Sequence, residues 1–400
     1  MNFAGLQPRR RVVILQRVMP HYRLAFFRRL HEELAARGIG LAVLYGDERP
    51  GTIPKTVPLE EPWARRIRNR SLAIGRRELI WQPALKALRP SDLVILEQSS
   101  RLLMNYRLIM RRRRNRPKIA YWGHGENFQA ARGFLERLHQ RWKGAVTRRA
   151  DWFFAYSDRS LEPLRRAGFP PERVTVVDNS IDSTRLRVAR DALTLGALEK
   201  LRGELGLEGG AVALYCGAIY REKRIGFLIE ACEEIRRRVP DFRMIFVGAG
   251  PDQHLVEAAA ARHDWIRYVG PKFATDAVPY FALSKALLLP SGVGLAINDA
   301  LALGLPLFTT SLPGHGPEIA YLEPGRNGEM TDPDSHAYAE AVARYLLSAT
   351  RQARYADACR ATAAHLTVEA MAERFAEGIV TCLGHGRPAG SHPAVASPKG

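Results

Sequence analysis

Short apolar runs alternate with amphipathic segments along the first part of the chain. Residues 11–16 have the pattern of a buried strand, and residues 24–37 follow with helical spacing and an inward apolar face. Further strand-like runs occupy residues 40–45, 92–97, 117–121, 151–156 and 173–177, with a weakly periodic connection over residues 46–80. Since strands that alternate with helices build parallel sheets, this part predicts an α/β domain.

The same alternation repeats in the second part of the chain. Five strand-like runs lie at residues 211–216, 244–247, 266–269, 286–289 and 306–309, and helical patterns end the chain at residues 335–348 and 368–383. Because 400 residues exceed what one core serves, we expect two domains. The predicted division is residues 1–182, a charged bridging segment 183–209, residues 210–366, a last helix over 367–384 and a disordered tail over 385–400.

The stretch 286–304 is the strongest candidate for a ligand site. A strand ends at Pro290, a loop passes through Gly292 and Gly294, and helical spacing restarts at Leu295 and continues through Asp299. A glycine loop between a strand and a helix offers free N–H groups at the carboxyl edge of a sheet. A phosphate-bearing ligand, and so a nucleotide, is expected there.

Other strand ends carry polar candidates. Basic residues at Arg221, Lys223 and Arg224 follow Gly217 and suit a diphosphate, with ordinary surface charge as the alternative. The glycine pair that ends at Gly250 is weak evidence alone. In the first domain the candidates are His21 and Arg23, which could equally be solvated tips at a helix entry. His124 is a further candidate, and its position favours a site over the alternative of a structural histidine.

Net charge adds an anionic partner to this picture. The chain has 60 Lys and Arg against 41 Asp and Glu, a formal charge of +19, which suits lipid headgroups, nucleic acid or a phosphorylated substrate. The arginine run at 111–114 is either a solvated helix end or part of a lipid-binding face. The basic stretch 132–150 either packs its apolar side on the core or contacts a membrane surface.

Composition also indicates compartment and cofactors. The longest apolar run near the N-terminus, residues 12–15, is too short for a signal peptide or a spanning helix, so a cytoplasmic protein is expected. The four cysteines lie far apart and are interpreted as reduced thiols. Asp332 and Asp334 flank a proline in a turn, and no metal site is predicted.

Several short motifs occur in a characteristic order: residues 179–182, 217–223, 247–251, 290–304, 317–318 and 325–328. This ordered set resembles the retaining, nucleotide-sugar-dependent glycosyltransferases of the GT-B fold, in their large group-1 family, and is similar to family 4. The resemblance is strongest over residues 174–345. It implies two Rossmann-like domains that face each other across a cleft, with the last helix crossing back to the first domain.

The resemblance also implies roles for the candidates. The first domain would bind the acceptor, a lipid-linked or polysaccharide glycan, and the second the sugar nucleotide. Lys223 with Arg221 would neutralise the diphosphate, Asp299 would bind ribose hydroxyls, and His124 would approach the donor sugar. No cofactor or metal is implied. The other implied donor contacts are Gly217, Arg224, Gly250, Ser291, Gly292, Val293, Gly294 and Leu295; His21 and Arg23 are the candidates on the acceptor side.

Three departures from the family pattern affect these roles. The family commonly has two glutamates eight positions apart, where this chain has Ser291 and the shorter Asp299. The basic residue usual after the strand's glycine is Ala218. A weakened or inactive transferase is therefore one alternative.

The leading hypothesis is a glycosyltransferase of cell-surface glycan synthesis, in the cytoplasm and peripheral at the inner face of the plasma membrane. A sugar-nucleotide epimerase of the same fold is a second hypothesis. A nucleic-acid-binding protein is a third, and it is disfavoured because no recognition motif is visible and the arginines occur in both halves.

Overall fold

The computed structural model describes residues 9–48, 56–74, 77–88, 91–111, 116–125, 134–207 and 210–385. Side chains at 74, 77 and 134–140 are outside this description. The arginines at 112–114 and the predicted tail beyond His385 also lie outside the described residues.

The first half, residues 9–182, is built on a parallel sheet. Its strands are β1 (Arg10–Gln16), β2 (Ile39–Tyr45), β3 (Ala64–Arg66), β4 (Arg70–Ile74), β5 (Arg77–Trp81), β6 (Leu93–Glu97), β7 (Lys118–Gly123), β8 (Trp152–Ala155) and β9 (Val174–Val176). Its helices are α1 (Leu24–Ala36), α2 (Leu85–Leu88), α3 (Leu103–Ile109), α4 (Phe134–Thr147) and α5 (Leu161–Arg166). Seven strands pair in the order β3-β2-β1-β6-β7-β8-β9, and β4 and β5 form a separate antiparallel hairpin.

The second half, residues 183–385, carries a six-stranded parallel sheet. Its strands are β10 (Ala211–Cys216), β11 (Phe242–Val247), β12 (Ile266–Tyr268), β13 (Ala286–Leu288), β14 (Leu307–Thr310) and β15 (Gly328–Thr331), in the order β12-β11-β10-β13-β14-β15. Its helices are α6 (Ser183–Asp191), α7 (Leu195–Glu204), α8 (Ile225–Arg238), α9 (Gln253–Arg262), α10 (Val278–Leu283), α11 (Ala296–Ala302), α12 (Ser335–Leu346), α13 (Ala349–Ala363) and α14 (Val368–Gly384). The prediction of two Rossmann-like sheets is confirmed.

Weakly patterned strands are where the sequence prediction falls short. The connection 46–80 contains β3 and the β4–β5 hairpin, and a sixth strand, β15, was not predicted in the second half. β3 and β15 are edge strands that pair on one side, with few fully buried residues. Half-exposed edge strands lack the continuous apolar run that marks a buried strand, because one face and one edge contact solvent.

Helix α14 returns to the first half. Phe375 stacks on Phe154 of β8 with ring centroids 4.1 Å apart, and its edge contacts Trp122 of β7 at 5.1 Å. α14 also packs along α1. Full burial of a side chain such as Phe375 contributes roughly 1.5–3 kcal/mol. The last helix therefore completes the core of the first half, as the GT-B resemblance implied.

The predicted bridging segment is helical. Asp182 and Thr194 cap α6 and α7 by accepting hydrogen bonds from the backbone N–H groups of Arg185 and Ala197. Leu186 of α6 is buried in the core of the second half, and α6 packs on α10 and α11. Among the described residues, no helix is long and apolar enough to cross a bilayer.

Candidate active site

Loops at the carboxyl edge of the second sheet converge on Lys223. The chain leaves β10 through a 3₁₀ turn at Arg221–Lys223 and enters α8 through Arg224, which has a left-handed φ of +57°. The Lys223 ammonium group donates a hydrogen bond to the carbonyl of Gly292, in the loop after β13. This hydrogen bond joins the turn that follows β10 to the glycine loop that follows β13.

Burial changes the acid strength of Lys223. Loss of solvent lowers its pKa to about 8, because the charged form is less well hydrated. Most molecules still carry the charge at neutral pH. Arg221 and Arg224 are exposed on the same turn. The turn therefore presents one half-buried cation flanked by two solvated ones.

The glycine loop is held from its other side by a histidine that the sequence analysis missed. Nδ1 of His315 accepts from the N–H of Val293 at 3.2 Å, and its Nε2 donates to the carbonyl of Thr310 at 2.9 Å. These two bonds require the neutral ring with its proton on Nε2. Burial lowers the pKa of His315, as do the nearby positive charges of Arg159 and Lys223. The sequence pattern that could have identified His315 is a histidine between two glycines after a strand, which is the same pattern as at His124.

The predicted donor-site residue Gly250 and its neighbour Gly248 are both required for backbone packing. A Cβ on Gly248 would lie 1.9 Å from the carbonyl oxygen of Gly217, and a Cβ on Gly250 would lie 2.0 Å from that of Ile219. Hydrogen bonds between the same loops run from Gly217 N to Val247 O and from Ile219 N to Ala249 O, each 3.0 Å. Close approach of two backbones accounts for Gly250 without a ligand contact.

Asp299 faces a cavity of about 410 Å³ between the two halves. Most of its lining is apolar and comes from several elements, among them Leu186 of α6 and Phe281 of α10. His21 and Tyr22 enter from the first half. Burial raises the pKa of Asp299 to about 7. Among the described residues, its carboxyl group has no hydrogen-bond partner, so both oxygens can accept from ligand hydroxyls. Arg28, Arg185 and Lys272 also line this cavity.

His124 lines a different cavity, of about 280 Å³, at the end of β7. Its ring meets Tyr156 edge to face with centroids 4.6 Å apart. Burial, together with a smaller effect of the Arg23 charge, lowers the pKa of His124 to about 4. His124 is therefore a neutral imidazole at physiological pH.

Arg23 lies beneath His124 inside an aromatic cluster. Its guanidinium is 4.3 Å from the Trp122 ring centroid and 5.5 Å from that of Tyr156, and Nη1 is 4.0 Å from Sδ of Met371. Only 4% of the residue is exposed, and no carboxylate of the described residues forms an ion pair with it. Cation–π contacts offset part of the cost of this burial. Of the two candidates on the acceptor side, His21 reaches the Asp299 cavity and Arg23 is packed in the core.

A buried polar seam joins the halves beside these sites. The carbonyl of Asn179 accepts from Nδ2 of Asn298 at 2.8 Å and from the hydroxyl of Tyr321 at 3.3 Å. The side chain of Asn179 donates to Glu318, and Ser157 donates to the carbonyl of Pro317 at 3.0 Å. Burial raises the pKa of Glu318, and its bond to Asn179 opposes that shift. The seam fixes α11, which carries Asp299 next to Asn298, against the first half.

Backbone strain concentrates near these loops. Among the described residues, three that are not glycine have positive φ: Asp178 at +51°, Arg224 at +57° and Ala274 at +48°. They adjoin the seam, Lys223 and the Asp299 cavity respectively. Strained residues of this kind cluster at functional sites.

The structure thus groups the predicted residues in two places. Lys223 contacts Gly292, whose loop continues through Val293 and Gly294 to Leu295 at the edge of the Asp299 cavity. Ser291 is buried at the start of that loop. His124 lies in the second cavity, and the described linings of the two cavities share no residue.

Comparisons with known proteins agree with this architecture. Residues 25–185 match the family model described as Glycosyltransferase Family 4, and residues 210–348 match the model Glycosyl transferases group 1. Similar solved structures include HepE of Anabaena in complex with UDP, with a TM-score of 0.67 and 17% identity over 93% of this chain and 100% of that one. A glycosyltransferase from Rickettsia africae has a TM-score of 0.67 and 14% identity over 94% and 100% of the two chains.

Curated relatives match over a shorter span. Spore coat protein SA of Bacillus subtilis is 28% identical over 40% of this chain and 45% of its own length. The alpha-D-kanosaminyltransferase of Streptomyces kanamyceticus is 27% identical over 47% of this chain and 51% of its own length. The chain thus spans about half the length of these relatives. The two family models and the two facing sheets show that the chain belongs to the group-1, family 4 glycosyltransferases of the GT-B fold.

Proposed function

We propose that the protein transfers a sugar from a nucleotide-sugar donor to a glycan acceptor. One observation carries the proposal: a cation and a carboxyl group lie at opposite ends of one glycine loop. Lys223 bonds to Gly292 at the start of the loop, and Asp299 lies one helical turn after Leu295 at its end. A nucleoside diphosphate has the matching chemistry, with hydroxyls at one end and negative charge at the other.

Each half of the donor has a place in this arrangement. The nucleoside enters the cavity between the halves, where Asp299 accepts hydrogen bonds from ribose hydroxyls. The diphosphate lies on the glycine loop beside Lys223, with Arg221 and Arg224 on the same turn. As the bond between sugar and phosphate breaks, negative charge grows on the leaving diphosphate, and Lys223 stabilises it. His124 approaches the donor sugar from the first half as a neutral hydrogen-bonding group.

Retention of anomeric configuration and independence of metal belong to the same proposal. Lys223 supplies at the leaving group the positive charge that a divalent cation supplies in other transferases. The expected result is undiminished turnover in excess EDTA, with the product anomer, read by proton NMR, matching the donor. An inverted anomer, or activity restored only by a divalent cation, would contradict this part.

A membrane-bound acceptor follows from the charge distribution. Of the 60 Lys and Arg, 36 lie in residues 1–182, against 17 of the 41 Asp and Glu, so the whole net charge of +19 belongs to the first half. The remaining residues hold 24 of each sign. We therefore propose a cytoplasmic enzyme that contacts an anionic bilayer through its first half and acts on a lipid-linked or polysaccharide acceptor.

Vesicle flotation tests the membrane proposal. Vesicles with phosphatidylglycerol should bind the protein at low salt and release it as ionic strength rises, and vesicles of phosphatidylcholine alone should not bind. Equal binding to both vesicles, or a preference for nucleic acid over anionic vesicles, would contradict it.

Donor binding tests the central proposal. We expect saturable calorimetric binding of at least one among UDP, GDP and ADP, beginning with UDP because the similar HepE structures hold UDP and UDP-glucose. Turnover of the matching sugar nucleotide should then require an acceptor. Binding of none would overturn the proposal, and a changed sugar formed without any acceptor would indicate an epimerase.

A further inference from the structure

The cavity beside His124 differs chemically from the one beside Asp299. It opens at the carboxyl edge of the first sheet, between the residues that follow β6 and β7 and the side chains of α3 and α4. Its lining is mostly polar: Gln98, Ser99, Ser100, Arg101, Asn105, Tyr106, Lys143 and Thr147 contribute to it. Its volume of about 280 Å³ is of the size of a monosaccharide unit with a charged substituent.

Positive charge dominates this cavity. Arg101 comes from the loop after β6 and Lys143 from α4, on two sides of the space. The described residues of the lining include no aspartate or glutamate. The Asp299 cavity, by contrast, includes the carboxyl groups of Asp182 and Asp299 among its lining. A ligand with a negative group is therefore favoured in the His124 cavity, whereas in the Asp299 cavity the two carboxyl groups offset part of the charge of Arg28, Arg185 and Lys272.

The framework of the cavity is fixed by hydrogen bonds. Gln98 donates to the carbonyl of Gly125 at 3.3 Å and accepts from its N–H at 2.9 Å, which holds the loop that follows His124. Nδ2 of Asn105 donates to the carbonyls of Glu97 and Ser99. Oδ1 of Asn105 is left without a hydrogen bond in the part of the chain that the structure describes. A buried acceptor in this state gains free energy when a ligand hydroxyl bonds to it.

We infer that this cavity binds the acceptor and that the acceptor carries an oxyanion, either a phosphate or a carboxylate. Arg101 and Lys143 contact the oxyanion, and Asn105 with the serine hydroxyls contacts sugar hydroxyls. His124 lines the same cavity, so a hydroxyl of the bound acceptor lies beside its ring. The inference rests on the proposed transferase function and adds the chemical class of its second substrate.

Sugar titrations against the full chain test the inference. Glucose, glucuronate and glucose 6-phosphate are titrated by calorimetry, each with and without UDP. Glucuronate and glucose 6-phosphate differ from glucose by an oxyanion, and their relative affinities distinguish a carboxylate from a phosphate. We expect at least one of them to bind about tenfold more tightly than glucose, since one charge-assisted contact contributes about 1.4 kcal/mol or more.

Paired substitutions locate the site. In the double variant Arg101→Gln and Lys143→Gln, the anionic sugar should fall to the affinity of glucose. Arg107→Gln is the matched control, because Arg107 lies on α3, is exposed and does not line the cavity. Equal affinity for charged and neutral sugars, or an unchanged double variant, would overturn the inference. UDP binding by the same proteins distinguishes failure of the acceptor inference from failure of the donor proposal. If the wild type does not bind UDP, the result counts against the donor proposal alone.

Discussion

The two halves of the molecule share one sheet architecture and differ in charge and in the cavity each presents. The first half holds all of the net charge, and its cavity is polar and cationic with a neutral histidine on its wall. The second half is balanced in charge, and the cavity that it shares with the first half is largely apolar and contains the carboxyl group of Asp299. The contrast teaches that the ligand of each half is set by loops at the strand ends, while the strands themselves supply only the frame.

Among the substitutions considered, replacement of Lys223 should reduce activity most. Lys223→Ala removes the half-buried cation of the second half, and turnover should fall about 10²–10³-fold, as for other groups that stabilise charge in a transition state. Lys223→Arg should retain part of the rate. The measurement is kcat with the best donor, and Lys200→Ala, an exposed lysine on α7, is the control. Unchanged turnover would mean that the second half does not hold the leaving group.

The carboxyl group of Asp299 gives the second half a pH-dependent stability. Because burial raises its pKa from 3.8 to about 7, the folded protein retains the proton that the unfolded chain releases. This group therefore favours folding at low pH, and the advantage is lost as pH rises from about 4 through 7.

Asp299→Asn should remove that dependence. The variant should be more stable than the wild type at pH 8 by about 1–2 kcal/mol, after allowance for partial solvent contact, and equal to it at pH 4. It should also bind donor more weakly. Urea unfolding at both pH values measures the effect, with the exposed Asp276→Asn as control. A variant less stable than the wild type at pH 8 would contradict the raised pKa of Asp299.

His315 tests whether the position of the glycine loop matters for donor binding. It bonds to the loop but does not line the Asp299 cavity. His315→Ala should raise the KM for donor about tenfold, a loss of about 1.4 kcal/mol, with kcat within about twofold. His315→Asn, which keeps an acceptor for Val293, should recover most of the affinity. Below the lowered pKa of His315, its protonated ring cannot accept from Val293, so wild-type donor affinity should fall in acid and that of the alanine variant should not.

The seam between the halves carries the smallest expected effect. Asn298→Ala removes one of two donors to the carbonyl of Asn179 and should lower the unfolding free energy by about 1 kcal/mol. Tyr321→Phe removes the other donor. Together they leave a buried carbonyl unpaired, so the double variant should lose more than the sum of the two. Strict additivity in thermal or urea unfolding would show that water replaces these bonds.

Sequence patterns predicted the parts of the fold that bury continuous apolar runs. β10 and β11, for example, are nearly all buried and lie where the runs predicted them. β3 and β15 were missed, because an edge strand of three or four half-exposed residues resembles a loop in its pattern. Helix α14 was predicted from periodicity, but its place on the first half came only from the family resemblance, since periodicity does not say which core a face contacts.

Which candidate residues lie close together could be predicted where local chain geometry determines their position. Lys223 and the glycine loop lie together because both follow parallel strands of one sheet. Arg23 was expected in the cleft and lies buried against Trp122. Nothing local indicates that Trp122 and Tyr156, from distant parts of the chain, pack on its guanidinium group. The sequence analysis noted that arginines occur in both halves, but the net charge of each half also depends on its acidic residues. Only in the second half do aspartates and glutamates balance the basic residues.

The place of α14 sets an order of events during synthesis on the ribosome. Phe154 and Trp122 cannot form their contacts with Phe375 until that residue is synthesised, and it lies more than half the chain later. The amino-terminal half can therefore collapse early but reaches its final packing only after α14 has been synthesised, whereas residues 183–366 can complete their core before that. A premature stop codon just before α14 would damage the half of the protein that was translated first.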